Sequence, residues 1–119
     1  MRLRHLDAIT GDIHSNWAAD LKLDFDDQAS AIVGSEFVCT SITSGGDGQD
    51  MTEYGRSLLA NNPHVKFYNA QRGYVSATVT PTHWRTDFKV LDRVTESGAP
   101  IRIRKSYVSE AGRPGVQEA

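Results

Sequence analysis

The sequence is poor in cysteine, has no long hydrophobic run and carries no excess of basic residues. Cys39 is the single cysteine, so no disulfide forms within the chain and zinc sites of the Cys-x-x-Cys type are excluded. No apolar run is long enough to span a membrane. The net charge is −2 and the lysines and arginines are scattered, which is not typical of a nucleic-acid-binding surface. We therefore expect no membrane and no nucleic acid among its partners.

The N-terminal segment MRLRHLDAI has two arginines but no apolar segment behind them, so we expect no signal peptide. The length of 119 residues, with 39% hydrophobic and 24% charged residues, is typical of a single globular domain over residues 1–119. Residues 110–119 are polar and contain glycine and proline. We expect this tail to fray.

The first half of the chain contains two predicted strand regions. Residues 6–10, LDAIT, form an apolar run that ends at Gly11, which predicts a short strand buried on both faces. Residues 15–22 leave open a helical turn or an irregular continuation. Residues 31–43 are rich in β-branched side chains and predict the second strand region.

One helix is predicted near residues 51–61, where apolar residues recur at helical spacing. Asp50 precedes it and Glu53 follows three residues later, which is the pattern of a capping box with Asp50 as the N-cap. Pro63 ends the pattern, because proline cannot continue a helix.

The second half alternates between apolar and polar residues, which is typical of an antiparallel sheet with one buried face. Residues 74–80 and 84–90 alternate on either side of Pro81 and predict a hairpin. Its buried face is expected to carry Val75, Ala77, Val79, Trp84, Phe88 and Val90. Residues 101–108 alternate again, which predicts that Ile101 and Ile103 point inward.

The segment ITGDIHSNW carries the chemistry, because Asp12 and His14 follow directly after the first predicted strand. Positions i and i+2 share one side of an extended chain, so both side chains can reach one ion or two adjacent ions. Carboxylates favour hard cations such as calcium, whereas imidazole suits zinc and iron. Gly11 leaves room beside them. The alternative is an aspartate that caps a turn, followed by a surface histidine.

Four segments together resemble the C-terminal part of the PhoD-like alkaline phosphatases, which belong to the calcineurin-like metallophosphoesterases. They are TGDIHSNWAADL, VGSEFVCTSITSGGDG, NNPHVKFYNAQRGYVSATVTPTHWRTDFKVLDRV and GAPIRIRKSYVSEAGRPGVQ, and they cover nearly the whole chain from Ala8 onward. The resemblance implies an α/β fold, with this chain as a β-rich C-terminal part of a four-layer αββα sandwich. Most strands are then antiparallel and one helix lies near 51–61.

The resemblance also implies a function, the metal-dependent hydrolysis of phosphate esters with calcium and iron as cofactors. The last metal motif of the superfamily is G-H-x-H, which aligns with residues 11–14, so Asp12 stands in place of the first histidine. Asp12 is then a metal ligand, and His14 is a ligand or a catalytic group near the phosphate. Arg72, beside Gly73, is a candidate for binding the phosphate of the substrate, with a structural salt bridge as the alternative.

The superfamily's earlier metal motifs, which are D-x-H or its cysteine variant, G-D-x-x-D and G-N-H-[DE], are not identified in this chain. We therefore expect residues 1–119 to form a partial domain that supplies only the last metal motif, binds metal weakly or not at all, and is inactive alone. Its expected partners are a phosphate ester in the parent enzyme, and the missing N-terminal part of the domain or a second copy. The alternative function is a non-catalytic β-rich binding or assembly module. The family is typically secreted or periplasmic, but without a signal peptide the sequence predicts no location.

Overall fold

The structure, a computed structural model, describes residues 6–119. The MRLRH segment, on which the signal-peptide prediction depends, lies outside them. The elements in chain order are β1 (Leu6–Thr10), β2 (Asn16–Lys22), β3 (Ile32–Val38), β4 (Gly48–Gln49), α1 (Glu53–Asn61), β5 (Val65–Val79), β6 (His83–Leu91), β7 (Arg102–Glu110) and β8 (Arg113–Glu118). The predicted β-rich character with one helix is confirmed. Within residues 6–119, no helix is long and apolar enough to cross a membrane.

The strands form one connected sheet in the order β1-β3-β2-β5-β6-β7-β8, with β4 paired to the side of β5. Only β1 and β3 are parallel, and the other pairs of the described residues are antiparallel, as predicted. Strand β5 is 15 residues long and changes partners along its length. Val65–Asn69 lie opposite β2, whereas Arg72–Val79 pair with β6.

Gly73 allows the close approach of β5 and β6 just after this change of partner. Its φ is 153°, and a Cβ at this position would lie 1.9 Å from the carbonyl oxygen of Lys89. Only glycine fits such a contact without moving the backbone.

The core lies between two halves of the sheet. The first half is β1, β3, β2 and the start of β5, and the second half is the rest of β5 with β6, β7 and β8. Ala18, Phe37 and Phe67 come from the first half, and they pack with Phe88, Tyr107 and Val116 from the second. Phe88 is completely buried, and its ring centroid is 5.0 Å from that of Phe67. Burial of large aromatic side chains therefore holds the two halves face to face.

The C-terminal tail corrects one prediction. Residues 110–119 were expected to fray, but Arg113–Glu118 form β8 and pair with β7. The backbone amide of Val116 also donates to Oδ1 of Asp20, 2.8 Å away, and Val116 is buried. The contact to Asp20 joins the tail to strand β2, 96 positions earlier in the chain. The local composition of the tail does not indicate such a contact.

Two segments of the first half differ from what the sequence predicted. Strand β1 forms at residues 6–10, but it is the edge of the sheet and Ile9 is 61% exposed, so it is not buried on both faces. Residues 15–22 were expected to form a helical turn or an irregular continuation, and both are wrong, because Asn16–Lys22 form strand β2.

The inward positions predicted in residues 101–108 are also wrong, because Ile101, just before β7, and Ile103, within it, are both exposed. A register shift places Ile103 opposite Lys89, on the side away from Phe88. The bulge therefore changes which side chains face the core. Ala77 and Val79, predicted on the buried face, are also exposed, because they lie toward the end of the hairpin.

Helix α1 begins at Glu53, and its N-cap is Thr52, not Asp50. The Thr52 hydroxyl accepts a hydrogen bond from the amide of Gly55 at 2.9 Å, which is the usual role of an N-cap side chain. The predicted cap is wrong because the Asp50 carboxylate is held by Arg104, at 2.6 Å from its Nε.

We expect Phe88→Ala to lower the free energy of unfolding by about 3–5 kcal/mol, since it removes a large buried aromatic side chain and leaves a cavity. Val79→Ala, in the exposed end of the same hairpin, should change it by no more than about 0.5 kcal/mol. Denaturant titrations of both variants measure the difference. A loss below about 1 kcal/mol for Phe88→Ala would show that the two halves do not depend on this side chain.

Candidate functional site

The loop of residues 11–15 leaves the carboxyl end of β1. Because β1 and β3 are parallel, the segment that follows β3 lies at the same end of the strands as this loop. The two chain segments are joined there, since the amide of Cys39 donates to the carbonyl oxygen of Thr10 at 3.0 Å. Asp12 and His14 are exposed on this loop. The structure therefore presents both predicted ligands at the strand end where the sequence placed them.

The backbone at both predicted ligands is unusual. Asp12 has a φ of 79° and His14 a φ of 62°, which is the left-handed region. Left-handed backbone costs an L-residue about 1–2 kcal/mol, with aspartate among the more tolerant residue types. The extended chain assumed from the i, i+2 spacing does not form here. Strained backbone of this kind is concentrated at functional sites, where the surrounding structure holds it in place.

The end of the loop is anchored by buried polar residues. The Ser15 hydroxyl accepts a hydrogen bond from the indole nitrogen of Trp17 at 2.7 Å. Asn16 is completely buried, and its Oδ1 accepts from the amide of Thr40 at 3.0 Å. Its Nδ2 donates to Oδ1 of Asn69, 3.2 Å away. The loop is thereby tied both to the segment after β3 and to the middle of β5.

Arg72 of β5 is only 6% exposed. Its side chain joins three loop segments. Its Nη1 donates to the carbonyl oxygen of His14 at 2.9 Å and to the hydroxyl of Ser41 at 3.0 Å. Its Nε donates to the carbonyl oxygen of Gly46 at 3.0 Å. Within residues 6–119 Arg72 donates to neutral oxygens and forms no ion pair. Binding of phosphate by Arg72 stays a prediction.

The expectation that G-D-x-x-D is absent is wrong for the letter pattern, because Gly46–Asp50 have it. Oδ1 of Asp47 accepts from the amides of Val94 and Thr95, at 2.6 and 2.9 Å. These two hydrogen bonds, that from Val94 first, lower the pKa of Asp47 below its usual value. This carboxylate holds the loop after β6.

The second carboxylate of that segment, Asp50, forms a two-point ion pair with Arg104. Its Oδ1 lies 2.6 Å from Nε and its Oδ2 3.1 Å from Nη2. The hydrogen bond from Arg104 is the main cause of a lowered pKa of Asp50. Asp50 also accepts from Nδ2 of Asn69 at 2.9 Å. Both carboxylates thus stabilise the fold.

The ligand types of Asp12 and His14 fit part of a metal site. Among the described residues, no group of three or more His, Cys, Asp or Glu side chains is arranged to hold an ion. One carboxylate and one imidazole suit two positions of a larger ligand set. A Cβ at Gly11 would meet only the carbonyl oxygen of Cys39, at 3.7 Å, so the space beside the loop is open.

We expect His14→Gly to be more stable than His14→Ala by about 1 kcal/mol, because glycine adopts left-handed backbone without the steric cost. Ile13 is the control, since its φ is not positive. At that position the glycine variant should be the less stable of the two, by about 0.5–1 kcal/mol. Thermal or denaturant unfolding compares the four variants. Equal stability of His14→Gly and His14→Ala would show that the backbone at His14 is not strained.

The ion pair of Asp50 predicts an acid dependence of stability. Because the folded-state pKa is below the ordinary value of 3.8, the contribution of Asp50 is fully present above that value. It is lost as the pH falls through the lower folded-state pKa. We expect Asp50→Asn to be less stable at neutral pH and to lose less stability between about pH 5 and about pH 3. Denaturant titrations across this range measure the slope.

Arg104→Gln removes the partner and should flatten the acid dependence in the same way. The double variant should then lose less stability than the sum of the two single losses, because the two side chains interact with each other. Parallel acid profiles for wild type and Asp50→Asn would contradict this assignment.

Comparisons with known proteins agree with the resemblance seen in the sequence. The family described as PhoD-like phosphatase matches residues 2–88. Alkaline phosphatase D of Bacillus subtilis (strain 168) is 45% identical over 116 residues, which are 98% of this chain and 20% of that protein. A solved structure described as "Structure of PhoD" superposes with a TM-score of 0.90 at 45% identity, covering 95% of this chain and 22% of the other. The chain therefore spans about a fifth of the length of these relatives. It belongs to the PhoD-like phosphatase family.

Proposed function

We propose that this chain supplies the loop with Asp12 and His14 to a metal-dependent phosphate ester hydrolase, and that it is inactive alone. The observation that carries the proposal is the left-handed backbone at both residues, at a strand end where buried Arg72 and Asn16 anchor the loop. Membership of the PhoD-like phosphatase family supports the reaction class. A loop maintained in a strained form in an ordered surrounding is suited to aim ligands at one point.

In this proposal Asp12 holds a cation through its carboxylate, and His14 is a second ligand or a catalytic group beside the phosphate. Calcium and iron are the proposed metals, since carboxylate oxygen suits calcium and imidazole suits iron. Such ions, when bound, polarise the phosphoryl oxygens and lower the pKa of a bound water. Two protein ligands leave most of the coordination shell to water, so the affinity of this chain alone should be weak.

The proposed partner is the remainder of the phosphatase domain, or else a second copy of this chain. Strand β1 supports it, because Leu6 and Ile9 are 45% and 61% exposed at the edge of the sheet. A parallel strand is normally covered on both faces, and an open edge tends to pair with another strand. The chain also spans only about a fifth of its relatives. Binding to this edge would complete both the sheet and the set of metal ligands.

The alternative is a non-catalytic β-rich binding or assembly module. It is favoured by one observation, the lack of any group of three or more metal-ligating side chains among residues 6–119. In that case Asp12 caps a turn and His14 is a surface residue.

A chimera tests the proposal. This chain replaces the matching segment of Bacillus subtilis alkaline phosphatase D, and hydrolysis of p-nitrophenyl phosphate is measured with calcium and iron supplied. We expect negligible hydrolysis by the isolated chain and clear hydrolysis by the chimera. Asp12→Asn should lower kcat/KM of the chimera by about 100-fold or more, because losing a group that merely orients a ligand already costs about 10–100-fold.

Asp24→Asn is the matched control, since Asp24 is an exposed carboxylate in the loop between β2 and β3. It should leave the hydrolysis rate unchanged. Full activity of the Asp12→Asn chimera would overturn the assignment of Asp12 as a ligand. Substantial metal-dependent hydrolysis by the isolated chain would overturn the claim that it is inactive alone.

A further inference from the structure

Arg72 lies where the predicted metal loop, the segment after β3 and the glycine-rich loop before β4 meet. We infer that Arg72 is a positioning residue, which holds the backbone of His14 and thereby directs Asp12 and His14 toward a shared ion. The inference rests on the proposed function and deepens it. It assigns Arg72 a role different from the phosphate contact expected from the sequence.

The first argument is the direction of the hydrogen bonds of Arg72. Arg72 is only 6% exposed. Its Nη1 donates to the carbonyl oxygen of His14 and to the hydroxyl of Ser41, and its Nε donates to the carbonyl oxygen of Gly46. An arginine has five N–H donors in a planar fork. In Arg72 these hydrogen bonds use three of the five within the protein. A guanidinium engaged in this way on two of its three nitrogens serves to join chain segments.

The second argument is the place where the loop is held. The acceptor of Arg72 is the carbonyl oxygen of His14, whose φ is 62°. A hydrogen bond to this oxygen fixes the orientation of the peptide between His14 and Ser15. Asp12, two residues earlier, is also left-handed, and its own position depends on where His14 is held. Charge-assisted hydrogen bonds are stronger than neutral ones, which suits a bond that maintains strained backbone.

The third argument is that the surroundings of Arg72 are built to fit it. The amide of Gly73 donates to the carbonyl oxygen of Ser41 at 3.1 Å, beside the bond that Arg72 makes to the Ser41 hydroxyl. A Cβ at Gly48 would lie 3.0 Å from Nη2 of Arg72 and 2.0 Å from the carbonyl oxygen of Ala70. Glycine therefore lets the loop pack directly on the guanidinium. A lysine ammonium, as a single point charge, cannot reproduce contacts to three separate segments.

The test uses the chain itself and does not need an active enzyme. Backbone amide order parameters are measured by NMR for residues 11–15 in wild type and in Arg72→Lys. Manganese ions are then added, because they broaden amide signals near even a weak carboxylate site. The exposed acidic loop with Asp24, Asp26 and Asp27 serves as an internal reference in the same molecule. Arg85→Lys is the control variant, since Arg85 pairs with Asp87 on another part of the sheet.

We expect order parameters of residues 12–15 to fall from about 0.85, typical of rigid backbone, to below about 0.6 in Arg72→Lys. Manganese broadening at residues 12–15, relative to the Asp24–Asp27 loop, should decrease by about 10-fold, as for the loss of a group that orients a ligand. Arg85→Lys should leave both quantities as in wild type. Ser41→Ala, which removes one acceptor and keeps the guanidinium, should give a smaller change in the same direction.

Unchanged order parameters and an unchanged broadening ratio in Arg72→Lys and Ser41→Ala would overturn the inference. A phosphate contact would instead show as shifts at Arg72 on titration with inorganic phosphate, lost in Arg72→Lys while the loop stays rigid, and this too would overturn it. Lack of broadening at residues 12–15 of the wild type, with the reference loop broadened, would overturn the proposed metal role. In that case, lower order parameters of residues 12–15 in Arg72→Lys would still show that Arg72 holds His14. Failure of the metal role and failure of the contact to His14 are therefore distinguishable.

Discussion

The structure depends on one strand that serves both halves of the sheet. Strand β5 runs for 15 residues, faces β2 with its first part and pairs with β6 through its second. Phe67 on its first part packs against Phe88 of β6, so this strand also carries the core between the halves. Just after the change of partner, the side chain of Arg72 reaches the loop segments that contain His14, Ser41 and Gly46. The candidate site is anchored at that point.

A chain of buried polar side chains occupies this middle section. Asn69 is completely buried and bonds to Asn16, Gln71 and Asp50. Arg72 continues the network to the backbone of His14. Buried polar groups are favourable only when their hydrogen bonds are made, so such a network specifies one arrangement of the loops it joins. Stability of the fold and geometry of the candidate loop therefore share the same contacts.

Two features of the described chain on which the proposed function depends lie at the same part of the molecule. Strand β1 leaves exposed apolar side chains at the sheet edge, and the loop that follows it carries two metal-ligand types without a third nearby. Both features fit the proposal that the remainder of a phosphatase domain binds at this edge. The rigid anchoring of the loop by β5 is consistent with a ligand pair oriented in advance, which reduces the cost of binding when the remaining ligands arrive.

The sequence by itself determined the β-rich character, the hairpin around Pro81, the presence of helix α1 and the place of Asp12 and His14 after a strand, because these follow from local periodicity and short motifs. Only the tertiary structure decided the pairing of β8, the outward direction of Ile103, the N-cap at Thr52 and the left-handed backbone at Asp12 and His14. It also decided the partner of Arg72, since His14 is 58 positions away in the chain. Such features arise from contacts between distant segments, from register shifts and from competition for a carboxylate, none of which local residue patterns encode.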